Sequence, residues 1–169
     1  MQGIFYPDSV AVIGVSAKPD NLGRNIMLNL IDFSFDGVVY PVGPSGGTIT
    51  TRRIYKSVLD IPDDVDLAYI VVPARFALDA IKECAEKGVR GIVMITAGFS
   101  ELGEEGRETE RELLDVVRSA GMRMVGPNCM GLLNTSPDVS MNATFAPTMP
   151  PTGATSFLSQ SGALGVTIL

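Results

Sequence analysis

The sequence predicts an α/β fold, a Rossmann-like doubly wound parallel sheet of about five strands. Three observations lead to this prediction. Short runs rich in β-branched residues alternate along the chain with segments of helical periodicity. The short runs are almost continuously apolar, as is typical of strands covered by helices on both faces. The 169 residues, 46% of them hydrophobic, are enough for one full domain with a sizeable core.

Five apolar runs are the predicted strands, and helical patterns lie between them. The runs are residues 10–14, 38–42, 67–72, 91–95 and 122–125. Apolar stripes at helical spacing follow the first and third runs, at residues 26–31 and 76–85. Residues 104–120 predict the longest helix, because acidic residues begin it, Arg118 lies near its end and Gly121 follows. The link after the second strand is rich in Gly, Ser, Thr and Pro and indicates only a helical turn at residues 55–59.

The composition changes in the last quarter of the chain. Residues 1–132 hold the sheet domain, and residues 133–153, rich in Asn, Ser, Thr and Pro, predict a connector that crosses a surface. Residues 154–169 predict the start of a second, flavodoxin-like α/β domain, with a strand at 155–158 and a helix or strand from 163. Because an orphan strand and half a helix cannot bury themselves, we expect this second domain to be truncated here.

The charge balance excludes several classes of partner. Thirteen Lys and Arg residues against nineteen Asp and Glu residues give a net charge of −6, which argues against binding to nucleic acid or to an anionic membrane. The longest apolar run, residues 67–72, is too short to span a bilayer, and the first eight residues lack the pattern of a signal peptide. The expected location is the cytoplasm, and any anionic ligand must be held by local dipoles.

Cysteine and histidine counts exclude several kinds of chemistry. The two cysteines, Cys84 and Cys129, are too few for a disulfide scaffold or a zinc site, so we expect reduced thiols and no bound metal. The chain has no histidine, which excludes a Ser/His/Asp triad, a Cys/His pair and phosphohistidine chemistry for this polypeptide. No catalytic residue is therefore predicted.

Ligands of open parallel sheets bind beyond the carboxyl ends of the strands, so the loops after the strands are the candidate site. The loop after the first strand carries small residues and leads into a helix, which predicts a cradle for phosphate. It departs from the G-x-G-x-x-G fingerprint, since Ser16 occupies the second glycine position, and a simple tight turn is the alternative. After the second strand no acidic residue precedes Asp60, which disfavours NAD.

The loops after the other strands are also small or flat. Gly98 permits close approach of a ligand to the backbone, while Phe99 can either stack on a ligand ring or plug the core. Asn128 can hydrogen-bond its own turn or a ligand. Cys129 has no cationic neighbour in sequence to lower its thiol pKa, so we expect it to shape the loop rather than act as a nucleophile.

Five motifs resemble those of a known family. They are VIGVS at residues 12–16, IVVPA at 70–74, TAGFSE at 96–101, GPNCMG at 126–131 and SQSGALG at 159–165. In this order, over nearly the whole chain, they are similar to the CoA-binding domain of the NDP-forming acyl-CoA synthetases, relatives of the succinyl-CoA synthetase α subunit. The GPNC-x-G motif followed by SQSGALG is specific, whereas the first glycine loop alone is not.

The resemblance implies that coenzyme A is the cofactor and that it lies across the strand ends. It implies phosphate contacts near Gly14, Ser16 and Gly23, contacts along the nucleotide and pantetheine at Pro73, Ala74, Thr96, Ala97 and Gly98, and a crevice floor at Asn128 and Cys129. The cations nearest in sequence that could neutralise the phosphates are Lys18, Arg24, Arg52 and Arg53, each of which could equally be a solvated surface residue. Ser45 stands where the family commonly has a lysine, so one cationic contact is missing and a neighbouring arginine could replace it.

The resemblance also implies a reaction for the parent enzyme. Acyl-CoA and phosphate give an acyl phosphate, the phosphoryl group moves to a histidine, and an NDP accepts it on an ATP-grasp domain or β subunit. Ser161 and Gly162 are similar to residues that face the phosphorylated histidine in relatives. This chain has no histidine, so we expect it to bind CoA or acyl-CoA without turnover, within a full-length enzyme that is oligomeric. The alternatives are a CoA-sensing domain of an acetyltransferase fusion and an NAD(P)-binding oxidoreductase domain.

Overall fold

The computed structural model describes residues 2–169. These residues form nine strands, four of which pair as two hairpins, and five α-helices. The strands are β1 (Ser9–Ile13), β2 (Val38–Val42), β3 (Thr48–Ile49), β4 (Arg52–Arg53), β5 (Leu67–Ile70), β6 (Gly91–Met94), β7 (Arg123–Val125), β8 (Gly131–Asn134) and β9 (Met141–Thr144). The helices are α1 (Gln2–Phe5), α2 (Leu22–Asp32), α3 (Ala77–Lys87), α4 (Glu104–Ser119) and α5 (Gly162–Ile168).

Five parallel strands form the central sheet in the order β2-β1-β5-β6-β7. The predicted α/β class and doubly wound parallel sheet are confirmed, and the five strands agree with the five apolar runs of the sequence. The strand order reverses between β1 and β5, whose register aligns Val10 with Leu67 and Ile13 with Ile70. In sheets of this type, a crevice opens at the carboxyl ends of the two strands where the order reverses.

Helices cover both faces of the sheet, which is why the strands are apolar on both sides. Met27 and Leu30 of α2 are completely buried in one apolar cluster, whereas Ile81 of α3 and Leu113 of α4 belong to a second cluster. The second cluster contains Ala11 of β1 and the first contains its neighbour Val10, so alternate residues of one strand serve opposite faces. The prediction that the longest helix starts at residue 104 is confirmed, since α4 spans 16 residues.

The link between β2 and β5 is more ordered than its composition indicates. Residues 48–53 form the β3–β4 hairpin, and Tyr55 then pairs with the end of β2: Gly43 N donates to Tyr55 O and Tyr55 N to Pro41 O, at 2.8 and 2.9 Å. A short 3₁₀ turn at Val58–Asp60 takes the place of the predicted helical turn. The hairpin therefore lies outside β2, at the edge of the sheet.

The stretch that the sequence predicts as a surface connector, residues 133–153, differs from that expectation in its first half. Strands β8 and β9 form an antiparallel hairpin packed against α2, and Met141 and Ala143 are completely buried there. Asn29 of α2 donates to the carbonyls of Thr144 and Ala146, each at 2.8 Å. The polar residues that suggested a solvated connector are therefore paired within the fold.

Residues 145–161 carry neither helix nor strand, so the strand expected at 155–158 does not form. Of the helix or strand expected from residue 163, the structure has the helix α5. Phe157 and Leu158 are 56% and 99% exposed, in agreement with the idea that this stretch has no core of its own. None of the helices between residues 2 and 169 is long and apolar enough to cross a membrane.

Candidate functional site

The end of β1 meets its two neighbouring strands through backbone alone. Gly14 N and Val15 N both donate to Val42 O of β2 at 2.9 Å. Gly14 has a φ of +113°, and a Cβ atom there would collide with the Val71 carbonyl after β5. Only glycine combines this backbone angle with so close an approach. The crevice between β1 and β5 therefore begins as a bare backbone surface.

Asn21 organises the loop that follows β1. Its Oδ1 accepts hydrogen bonds from Ser16 N at 3.0 Å and Arg24 N at 2.8 Å, and its Nδ2 donates to Gly14 O at 3.0 Å. The same side chain thus caps α2 and fixes the loop. Sequence reasoning did not assign Asn21 a role, although an asparagine immediately before an apolar helical stripe is a typical N-cap.

The capping by Asn21 changes which amides remain for an anion. The amides of Gly14, Val15 and Ser16 donate within the chain, so the loop itself offers less than expected. Leu22 N and Gly23 N, in the first turn of α2, have no hydrogen-bond partner within the described residues. Both lie at the positive end of the helix dipole. The amides without a partner are therefore in the first turn of α2 rather than in the loop that the sequence predicts as a phosphate cradle.

The ends of β5 and β6 are joined by Thr96. Its buried hydroxyl donates to Val72 O at 2.7 Å, and its carbonyl accepts from Asn128 N at 3.0 Å. Ala97 is exposed and Gly98 half-buried, and a Cβ on Gly98 would lie 3.1 Å from Ala74 Cβ. Thr96 therefore ties three loops together, and its hydroxyl is already engaged by the backbone.

Phe99 follows these residues and is completely buried in the cluster beneath α3 and α4. The sequence allows Phe99 either to stack on a ligand ring or to fill the core, and in the structure it fills the core.

The Cys129 thiol ties the loop after β7 to the end of β6. Cys129 Sγ lies 3.3 Å from Met94 O, to which it donates, and burial raises the pKa of this thiol above its usual value. A raised thiol pKa disfavours a thiolate nucleophile. Asn128 is exposed with a φ of +54°, a conformation that asparagine tolerates better than most residues. This geometry favours the loop-shaping role for Cys129.

The structure brings most of the predicted site residues onto one rim and leaves others away from it. A Cβ on Gly23 would lie 2.9 Å from Gly14 O, so the first turn of α2 touches the end of β1 directly. The rim then continues through the loops after β5, β6 and β7, which carry the following predicted residues: Pro73, Ala74, Thr96, Ala97, Gly98, Asn128 and Cys129. Lys18 and Ser45 are exposed in loops outside this line, and Arg24 lies in the first turn of α2.

Ser161 and Gly162 lie at the start of α5. The Ser161 hydroxyl accepts from Leu164 N at 3.3 Å and so acts as the helix cap. A Cβ on Gly162 would be 3.8 Å from Met130 Cβ, which places α5 beside the loop after β7. The two residues are therefore near one end of the rim, and the hydroxyl is engaged in capping.

Comparison with known proteins identifies the family of this domain. The family model described as CoA binding domain matches residues 8–135, which include the whole parallel sheet. The chain belongs to this family. The resemblance drawn from the five motifs is confirmed, and coenzyme A is the cofactor of the CoA-binding domain.

Relatives of this CoA-binding domain are ligases. It is 47% identical over 173 residues to the α subunit of an ADP-forming acetate–CoA ligase I of Pyrococcus furiosus, covering 100% of this chain and 37% of the relative. It is 48% identical over 169 residues to an ADP-forming acetate–CoA ligase I of Archaeoglobus fulgidus, covering 100% of this chain and 24% of the relative. The chain thus spans well under half the length of these relatives.

Solved structures give the same picture. PH0766 from Pyrococcus horikoshii OT3 superposes with a TM-score of 0.92 at 48% identity, covering 99% of this chain and 38% of that one. A dinucleotide-forming acetyl-coenzyme A synthetase 1 of Ca. Korarchaeum cryptofilum, in complex with phosphate and ADP, has the same TM-score at 40% identity and covers 99% and 35%. These likenesses favour the acyl-CoA synthetase interpretation of the CoA-binding domain over an acetyltransferase regulator or an NAD(P) oxidoreductase.

Proposed function

We propose that this chain binds coenzyme A along the rim of strand-end loops and is the CoA-binding part of an ADP-forming acyl-CoA synthetase. The observation that carries the proposal is the continuous backbone rim from the first turn of α2, across the β1/β5 crevice, to the loop after β7. Pro73, Ala74, Ala97 and Gly98 along it are small, and it lies where open α/β sheets bind nucleotides. The identity of about half to ligase relatives over the whole chain supports the same function.

The residues present fit the chemistry of coenzyme A. The free amides of Leu22 and Gly23, with the Arg24 side chain in the same turn, suit the pyrophosphate despite the net charge of −6. Pro73, Ala74, Ala97 and Gly98 present the small, flat surface that an extended pantetheine chain needs. Asn128, exposed at the end of the rim, is free to donate its side-chain amide to that chain. Thr96, Ser16 and Cys129 act through the loops that they hold in place.

For the full-length enzyme we propose the overall reaction of an acid, CoA and ATP to give acyl-CoA, ADP and phosphate. This chain contains no histidine, so the phosphoryl-carrying histidine lies on another part of that enzyme or on its partner. We propose an ATP-grasp domain or β subunit as that partner, and an oligomeric full-length enzyme. Residues 133–153 and 154–169 are proposed as the connector and the first segment of a following domain, with Ser161 and Gly162 near the transferred phosphate.

The acid substrate is proposed to be chosen outside this chain. A relative 40% identical over 161 residues is named a 4-hydroxybutyrate–CoA ligase, whereas others of similar likeness are named acetate–CoA ligases. Similar CoA-binding domains therefore occur in ligases named for different acids.

Titration calorimetry on this chain tests the proposal with four ligands: CoA, acetyl-CoA, NAD and NADP. We expect CoA and acetyl-CoA to bind with similar affinity, because the thiol end is the only difference and the rim contacts lie elsewhere. NAD and NADP should bind much more weakly, since no carboxylate lies between the end of β2 and Asp60, where a dinucleotide site would hold the ribose diol. Tight binding of NAD with no heat from CoA would overturn the proposed function.

A further inference from the structure

A cavity lined by two cationic side chains lies outside the rim, at the edge of the sheet. A cavity of ≈ 430 Å³ is lined by Gly46, Gly47, Arg53, Ile54, Lys56 and Asp60. Its volume is within the range of roughly 300–1,000 Å³ typical of ligand sites. The Arg53 and Lys56 side chains make it locally cationic in a chain whose net charge is −6.

The two cations are available to a ligand. Within the described part of the chain, neither Arg53 nor Lys56 forms an ion pair with a carboxylate. Asp60, the acidic residue that lines the cavity, accepts a hydrogen bond from Ser57 N at 3.1 Å as part of a capping box. The Arg53 guanidinium lies 5.5 Å from the centre of the Tyr55 ring, which orients it without neutralising it.

The chain that leads into the cavity makes one tight backbone contact with the loop after β1. Gly43, directly after β2, packs so closely on the Val15 carbonyl that a Cβ there would collide with it. Gly46 N donates back to Gly43 O at 3.0 Å, which turns the chain from that contact into the cavity wall. The cavity wall therefore begins three residues after Gly43, which contacts the loop that leads from β1 to α2.

We propose that this cavity binds the 3′-phosphate of coenzyme A and makes the chain discriminate CoA from dephospho-CoA. In α/β nucleotide sites the residue after the second strand reads the ribose, and an arginine there accommodates a ribose phosphate. Arg53 supplies a planar donor group for the phosphate oxygens and Lys56 a second charge. The inference rests on the proposed function, because it needs CoA on the rim. It assigns the role to Arg53 of the β3–β4 hairpin and to Lys56, three residues further along the chain, rather than to the uncharged Ser45.

The test compares CoA, dephospho-CoA and adenosine 3′,5′-bisphosphate by calorimetry on the full chain. Charge-assisted hydrogen bonds predict that CoA binds about tenfold or more tightly than dephospho-CoA. The variants Arg53→Gln and Lys56→Gln should each lose most of this preference by weakening CoA, with dephospho-CoA unchanged. Arg52→Gln is the matched control, since Arg52 is adjacent in the same strand, points to the opposite side and does not line the cavity.

Phosphorus NMR gives an independent readout. The 3′-phosphate resonance of CoA should shift on binding to the wild-type chain and remain near its free position with the Arg53→Gln/Lys56→Gln variant. Equal wild-type affinity for CoA and dephospho-CoA would overturn this inference and leave the proposed function intact. An effect of Arg52→Gln as large as that of Arg53→Gln would also overturn it, because bulk charge would then be responsible. If neither form of the coenzyme bound, the proposed function would fail as well.

Discussion

Asn21 shows how one side chain can determine both a helix start and a binding surface. Its amide makes three hydrogen bonds, two as acceptor from Ser16 N and Arg24 N and one as donor to Gly14 O. These bonds hold the loop in one conformation without a ligand. Pre-organisation of this kind lowers the entropic cost of binding. The amides of Leu22 and Gly23, at the positive end of α2, remain without a hydrogen-bond partner in the described chain.

Asn21→Ala and Asn21→Asp should separate the capping role from the electrostatic one. Asn21→Ala removes all three bonds and should cost about 1–2 kcal/mol of stability, with weaker CoA binding because the loop loosens. Asn21→Asp keeps the cap acceptor, so its unfolding free energy should fall less, but its negative charge beside the phosphate site should weaken CoA binding more than Asn21→Ala does. Urea unfolding and calorimetry check the two effects. If Asn21→Asp bound CoA as well as the wild type, the pyrophosphate would not lie at α2.

Cys129→Ser tests the loop-shaping role of the thiol. A serine hydroxyl can still donate to Met94 O, so CoA affinity should change by no more than about threefold. Cys129→Val is the contrasting variant of similar volume, and because it has no donor it should loosen the loop and weaken binding further. Calorimetry measures both. Loss of binding in Cys129→Ser with unchanged circular dichroism would mean that the thiol itself contacts the coenzyme.

At the scale of elements, the parallel strands and helices could be predicted from the sequence, whereas the hairpin β8–β9 could not. The strands are apolar because helices cover both faces, and this burial leaves a direct pattern in the sequence. The hairpin buries polar side chains instead: Asn142 is fully buried, and its Oδ1 accepts from the Thr144 hydroxyl at 2.8 Å. Such pairs look like a solvated loop in a sequence, because pairing depends on partners that only the fold brings together.

The candidate site was likewise predictable only in part. The loops after strands could be located, since their position follows from the sheet. Which amides remain free could not, because that depends on the Asn21 bonds. Lys56 also escaped notice, since its place in the cavity follows from the pairing of Tyr55 with β2 rather than from a local motif.

The turn between β3 and β4 offers an element-scale prediction. Thr50 and Thr51 have φ angles of +44° and +67°, the pattern of a two-residue hairpin turn, which strongly prefers Asn-Gly. β-Branched residues are strained there, so Thr50→Asn/Thr51→Gly should stabilise the chain by about 1 kcal/mol. Differential scanning calorimetry should show a melting temperature higher by about 2–4 °C. Thr48→Gly, within strand β3, is the control and should lower it; a lower melting temperature for the turn variant would contradict the assignment of strain.

At the scale of the whole molecule, the two ends of the sheet differ in the groups that they carry. At the amino ends of the strands, the buried Asp66 carboxylate pairs with Arg90 and accepts from Asp8 N at 3.0 Å. At the carboxyl ends, backbone groups and small residues form the rim. Carboxylates also act at this end, since Glu101 accepts from Gly98 N at 2.6 Å and from Phe99 N at 3.1 Å, so the amides without a partner there, within the described residues, are those of Leu22 and Gly23 in the first turn of α2. The Asp66–Arg90 pair therefore stabilises the end of the sheet opposite the rim.

The core as a whole should lose stability at alkaline pH through Cys84. Burial, with a smaller effect of the nearby Glu83 carboxylate, raises the pKa of this thiol from 9.0 to about 12. In the unfolded chain the thiol ionises near pH 9, whereas in the folded chain it remains protonated, so its contribution to stability is complete below pH 9 and is lost as the pH rises from 9 towards 12. By proton linkage the loss at pH 10.5 is about 2 kcal/mol.

Urea unfolding at pH 8 and pH 10.5 tests this prediction by comparing the fall in unfolding free energy between variants. Cys84→Ala should lower the free energy of unfolding at pH 8, because it creates a small cavity. Between pH 8 and pH 10.5, however, the free energy of unfolding of this variant should fall by about 2 kcal/mol less than that of the wild type. Tyr40 and Tyr69, whose pKa values burial also raises, are unchanged in the variant and cancel from the comparison. Ile81→Val, a core truncation in the same helix with no ionisable group, should be less stable at both pH values and fall as steeply as the wild type. An equal fall in Cys84→Ala would mean that the buried thiol does not carry the alkaline instability.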